Sequence, residues 1–241
     1  MEYCLHESDV ARERADGDTV EVRPCFDAET GCACFSQRVL RFSPGRSRER
    51  LDTASDEVLY VLSGVGSFTL DGFAQRVGPG SAAFVAAGAP WLVDADEEVV
   101  VLSVLVHDPE PASQRQSVVQ IALGDTQAAT AGRQFALGLG PAVGCNTVTQ
   151  FVGFIPPGRA PDHFHRYDEV VYVLEGRGAL HIGGETSELR PGACVHLPSR
   201  LVHSLENEGD DEMLVLGVFR PAGSPAEAYY PDGTPAVVEE A

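Results

Sequence analysis

Four side chains in the second half of the chain carry the donor atoms of a metal centre: His163, His165, Glu169 and His203. His163 and His165 are two apart, so on an extended strand both imidazoles leave the same face. Glu169 follows four residues later with the same parity, and His203 lies 34 residues beyond Glu169, after the run CVHLP. Three neutral imidazoles and one carboxylate suit one divalent transition ion per chain. Iron, manganese, nickel, copper and zinc all accept such donors, so the set does not choose among them. Four protein ligands leave one or two positions for water or substrate. The competing reading is a polar cluster without metal, but burying these groups without a cation leaves costly polar atoms to satisfy. Glu169 doubles as the candidate catalytic residue, a base for a substrate proton. His181 and His196, by contrast, read as hydrogen-bonded core histidines.

The elements that must position these residues come from an internal repeat. DEVLYVLSGVG at 56–66 recurs as DEVVYVLEGRG at 168–178, and GPGSAAFVAAGAPW at 78–91 is matched by the stretch ending RPGACVHLPSRLVH at 190–203. Upstream, GCACFSQRVLRFSPG at 31–45 parallels GCNTVTQFVGFIPPG at 144–158, one residue further apart than the other pairs. Each copy reads as β. Runs such as VLYVL, AAFVA, VVYVL and MLVLGVF are short, rich in Val, Leu and aromatics, and bounded by Gly, Pro and acidic turns. LDGF at 70–73 and IGGE at 182–185 are hairpin turns. Many short strands at regular spacing predict a sandwich or small barrel. The expected organisation is an N-terminal extension over 1–30, a first barrel over 31–106, a polar linker over 107–117 and a second barrel over 118–241.

The second copy resembles the cupin family on two motifs. Gly158-(x4)-His163-x-His165-(x3)-Glu169-(x6)-Gly176 is similar to the first cupin motif, one residue short after the opening glycine. Gly192-(x5)-Pro198-x-Arg200-(x2)-His203-(x3)-Asn207 is similar to the second, with Arg200 where the family usually has glycine. The resemblance extends over about residues 30–110 and 145–220. It implies an all-β fold of two tandem double-stranded β-helix (jelly-roll) barrels related by duplication, a bicupin, with metal inside the C-terminal barrel and substrate entering one mouth. Arg200 either suits a longer turn or faces that mouth and binds an anion. In the first copy Glu57 persists, but the two-histidine positions fall on Leu51 and Thr53 or on Arg50 and Asp52, according to register. Trp91 stands for His203, and Ala95 for Asn207. That copy is expected to bind no metal and to serve as a structural partner, or to hold a pocket gated by Trp91.

Fold and metal do not fix a reaction. The favoured expectation is a dioxygenase, an oxidoreductase acting on an enolisable or chelating metabolite. Two-barrel members with this ligand set include flavonol- and diketone-type dioxygenases. The alternatives are a non-oxidative isomerase, lyase, decarboxylase or aminohydrolase, and a metabolite-binding module without turnover.

The chain of 241 residues holds 17 Lys and Arg against 36 Asp and Glu, a net charge of −19. Such a surface repels phosphate backbones and anionic lipid, so the expected partner is a small-molecule substrate rather than nucleic acid or membrane. A homodimer is compatible with open barrel edges. The charged opening residues and the absence of a long apolar run predict a cytoplasmic protein, in which the six cysteines are reduced thiols.

Overall fold

A computed structural model describes residues 2–236, and among these the regular structure is β, with no α-helix. No helix is long and apolar enough to cross a membrane. The chain divides into two compact units. One holds Glu7–Ile121 and Gly138–Val148; the other holds the chain up to His6, Ala122–Leu137 and the chain from Thr149 onward.

Each unit is a seven-stranded sheet with a four-stranded sheet, all pairs antiparallel, and the strand order is the same in both. In the first unit the large sheet runs Gln116–Gln120, Ser81–Val85, Ser55–Ser63, Val99–His107, Phe35–Phe42, Val20–Phe26 and Glu13–Arg14. In the second it runs Cys4–His6, Ala193–Leu197, Asp168–Glu175, Met213–Arg220, Thr149–Ile155, Gln134–Leu137 and Gln127–Ala128. The expected duplication of a jelly-roll barrel is therefore what the chain forms. The residues expected as an N-terminal extension supply strands to both sheets. Cys4–His6 takes the edge of the second barrel, a place that Gln116–Gln120 takes in the first.

The central strands Ser55–Ser63 and Asp168–Glu175 are the apolar runs of the repeat, and both faces are largely covered. The first barrel closes over Leu40, Phe42, Leu59, Phe68, Trp91 and Val101, and the second over Ile155, Val171, Leu180, Val195, Leu197 and Val215. Both expected hairpins are tight turns with positive φ, at Asp71 and Gly72 in one and at Gly183 and Gly184 in the other. Each central strand ends in a β-bulge followed by glycine, Gly64 or Gly176. At Gly176 the backbone has φ of 88°, and an added Cβ would come within 2.8 Å of the Met213 Cα. Gly176→Ala is expected to cost about 2–3 kcal/mol in chemical denaturation, because strain and backbone clash add. Gly184→Ala, with open space around it, should cost only about 1 kcal/mol.

Candidate metal centre

The strand pairing brings the three histidines together, with Glu169 beside His165 alone, without any long side-chain reach. His163 and His203 form an antiparallel bridge, each backbone N–H donating to the other's carbonyl at 3.0 and 2.9 Å. His165 is held two residues on, its carbonyl accepting the Arg200 N–H at 2.7 Å. Glu169 stands near the start of the central strand, between Leu197 and Phe219 on its neighbours. The ring centroids of the three histidines are 4.6–5.1 Å apart, and one nitrogen from each lies within 4.8 Å of the others. A Glu169 oxygen, Oε2, is 3.9 Å from His165 Nε2.

The tautomers favour a cation. Each Nδ1 lies on a backbone carbonyl, His163 on Pro161 at 2.9 Å, His165 on Glu227 at 2.8 Å and His203 on Leu201 at 2.9 Å. A carbonyl only accepts, so each Nδ1 carries the proton and each Nε2 presents a lone pair. Burial, reinforced by neighbouring positive charge, holds the imidazoles neutral. It pulls His163 down to about 4, His165 to about 3 and His203 well below the usual histidine range. The same burial pushes Glu169 up to about 8, partly offset by the Arg133 charge. Three converging lone pairs and one desolvated carboxyl are a donor set that fits a divalent ion and is poorly served without one.

The four residues form one wall of a small, partly open cavity. Its other walls are mostly apolar, including Phe135, Phe151, Phe154, Val171, Leu197 and Val215. Tyr167 also lines it, stacked between His165 at 4.6 Å and Phe219 at 4.0 Å. Space for the Glu169 carboxyl depends on Gly217, where a Cβ would fall 2.9 Å from Glu169 Oε1 and 2.4 Å from the Phe151 ring. Arg133, Phe151 and Gly217 lie in stretches where no sequence motif marks them. His181 and His196 lie outside this cavity; His181 pairs with Glu206 at 2.8 Å. Arg200 is exposed and does not line the cavity. It occupies a left-handed turn with φ of 66°, where the first repeat has Gly88 with φ of 78°. Its place is explained by the turn, and the anion reading falls away.

The first barrel shows what the same position becomes with other side chains. Arg50 and Trp91 form the bridge that His163 and His203 form in the second barrel, so Asp52 stands for His165. The retained Glu57 is buried and accepts from Trp91 Nε1 at 2.9 Å, from Arg38 at 2.7 Å and from Ser103 Oγ. By strand register Ser103 stands where the second barrel has Gly217, and Arg38 where it has Phe151. A guanidinium thus supplies the positive charge beside this carboxylate. Trp91 is only 2% exposed, packed by Phe42 and Phe68 with Arg50 over its ring. An indole fixed in this way fills the interior and is no gate.

Comparison with known proteins agrees with this architecture. A family described as the cupin domain matches residues 151–219. Over 101 residues the chain is 31% identical to "Polyketide synthase CurC" of Streptomyces cyaneus, covering 41% of this chain and 66% of that protein. Over 97 residues it is 33% identical to quercetin 2,3-dioxygenase of Bacillus subtilis, covering 35% of this chain and 29% of that one. These curated relatives are thus matched over less than two thirds of their own length. Among solved structures, a variant of Bacillus subtilis oxalate decarboxylase superposes with a TM-score of 0.74 over 92% of this chain and 78% of that one, at 15% identity. At that identity the likeness is one of fold.

Two outcomes follow from the geometry. Gly217→Ala, which drives a methyl group into Glu169 and Phe151, should weaken metal binding at least about tenfold in a competitive chelator titration. Arg38→Met leaves Glu57 buried without its cation and should cost about 3 kcal/mol or more of stability by denaturant melting. Adding Glu57→Gln to that variant should recover part of the loss.

Proposed function

The chain belongs to the cupin superfamily, with two barrels in one polypeptide, and we propose that its C-terminal barrel is a metal-dependent active site for a small organic metabolite. The observation that carries this reading is the set of three imidazoles, each with Nδ1 tied to a carbonyl, beside a fully buried carboxylate at the wall of an apolar cavity. A divalent ion held by His163, His165, His203 and Glu169 would supply a Lewis acid for a substrate oxygen and, if redox-active, a partner for dioxygen. Everything else is done by the protein. The aromatic and aliphatic walls exclude water and hold the apolar body of a substrate. Glu169 is the base: its Oε takes a proton from the carbon or hydroxyl of an enolisable substrate. Tyr167, flat against the His165 ring, limits how that ring can tilt.

Among reactions, dioxygenase chemistry on an enolisable or chelating substrate is favoured, and the likeness to a quercetin 2,3-dioxygenase supports it. A non-oxidative reaction limited to proton transfer is the second reading. It needs only the Glu169 carboxyl beside His165 at the cavity wall to move the proton. The first barrel, with its own carboxylate satisfied by Arg38, Trp91 and Ser103, is assigned a structural role.

Metal analysis by plasma mass spectrometry tests the common core of both readings. Wild-type protein should carry close to one divalent transition ion per chain, and the His163→Ala/His203→Ala double variant almost none, with both melting as folded proteins. A wild type that carries no metal and cannot be loaded with any would overturn the proposal. Oxygen uptake during substrate screening then separates the two readings.

A further inference from the structure

The cavity contains one fixed cation that neither the metal donors nor the barrel's closure account for. Arg133 follows a tight turn in which Ala131 and Gly132 both have positive φ, and it opens the strand Gln134–Leu137. Its side chain lines the cavity, as do those of Gln134 and Phe135 that follow it. Among the described residues lining the cavity it is the only Arg or Lys, and Glu169 is the only carboxylate. One guanidinium nitrogen, Nη2, donates to the Leu205 carbonyl at 2.9 Å, and Arg133 makes no ion pair among the described residues. Its charge nevertheless acts on His163, His165, His203 and Glu169 together.

Drawing a guanidinium partly out of water to satisfy one carbonyl is costly, since a neutral donor would do the same at a smaller desolvation cost. The charge count of the site gives it a use. One divalent ion, one carboxylate and one guanidinium sum to a positive cavity, which a neutral ligand leaves uncompensated and an anion partly offsets. The remaining walls are aromatic and aliphatic, so the rest of the ligand must be apolar.

We infer that Arg133 is a specificity residue that holds the carboxylate or enolate group of an organic acid whose apolar body lies against Phe135, Phe151 and Phe154. This rests on the reading of the cavity as an active site and narrows its substrate class to monoanionic acids with an aromatic or branched aliphatic body. A compact dianion finds only one such fixed cation besides the metal.

Isothermal titration of the full chain, with metal content measured on the same sample, decides the matter using benzoate, its neutral isostere benzamide, and acetate. Wild-type protein should bind benzoate at least about tenfold more tightly than either of the others. Arg133→Gln should lose that preference while keeping its metal content and melting temperature. Should Arg133→Gln melt early, Arg133→Lys replaces it: retention of the benzoate preference over benzamide supports the inference, and its loss in a normally melting variant overturns it. Equal binding of benzoate and benzamide by the wild type, no binding of benzoate at millimolar concentration, or an unchanged benzoate affinity in Arg133→Gln each overturns it as well. If the protein carries no metal, the metal-dependent reading fails separately. The same titrations on metal-free protein still report on Arg133.

Discussion

A carboxylate placed inside an apolar barrel must meet a positive charge or give up its own. Both repeats put a glutamate near the start of the central strand, Glu57 in one and Glu169 in the other, and both are buried. The first barrel answers with Arg38, joined by the Trp91 indole and the Ser103 hydroxyl. The second has Phe151 and Gly217 at those two positions, neither of which can donate a side-chain hydrogen bond to the carboxyl. Desolvation therefore pushes Glu169 towards its neutral form, and three histidines with their lone pairs turned inward stand ready to bring a cation to it. One ancestral position has thus been resolved in two ways. The first gives a packed polar knot, and the second gives a cavity with unsatisfied chemistry.

The second solution needs emptiness, and emptiness has to be built. Gly217 removes the side chain that would strike Glu169, and Gly153 lets Phe135 and Phe151 stand as walls. The backbone carbonyls of Pro161, Leu201 and Glu227 fix three rings without occupying the space in front of them. Glu227 comes from the segment after the last long strand, where Tyr229 bridges to Phe164 and stacks on its ring. The orientation of His165 therefore depends on residues about sixty positions away in the chain. This is the outer layer that metal sites generally require, since a ligand that can rotate binds weakly.

Much of this was legible in the sequence. The repeat and its strands follow from the alternation and spacing of apolar runs, and the three histidines that cluster in the fold were among the candidates their spacing marked. Arg133 was not legible. It lies in a stretch without a motif, and only the pairing of Gln134–Leu137 with Thr149–Ile155 carries it to the cavity. The contrast between Ser103 and Gly217 was hidden for a related reason. Small length changes move the two repeats out of step, so these residues match only through the sheet register. Arg200 was ambiguous because its turn demands a left-handed backbone that glycine adopts freely, and an arginine there looked like a functional departure. The role of Trp91 could be read as a substitution but not as a hydrogen bond to Glu57.

The edge strands carry a consequence for how such a chain came to be and how it must be handled. Cys4–His6 precedes the first repeat as Gln116–Gln120 precedes the second, yet each completes the sheet of the other repeat. The two halves have exchanged equivalent arms. Neither repeat, excised at the middle of the sequence, would contain its own barrel: each fragment would bear an unpaired sheet edge and a stray strand that fits a partner it no longer has. The edge of the barrel with the candidate donors is a piece of chain that lies ahead of the whole first repeat.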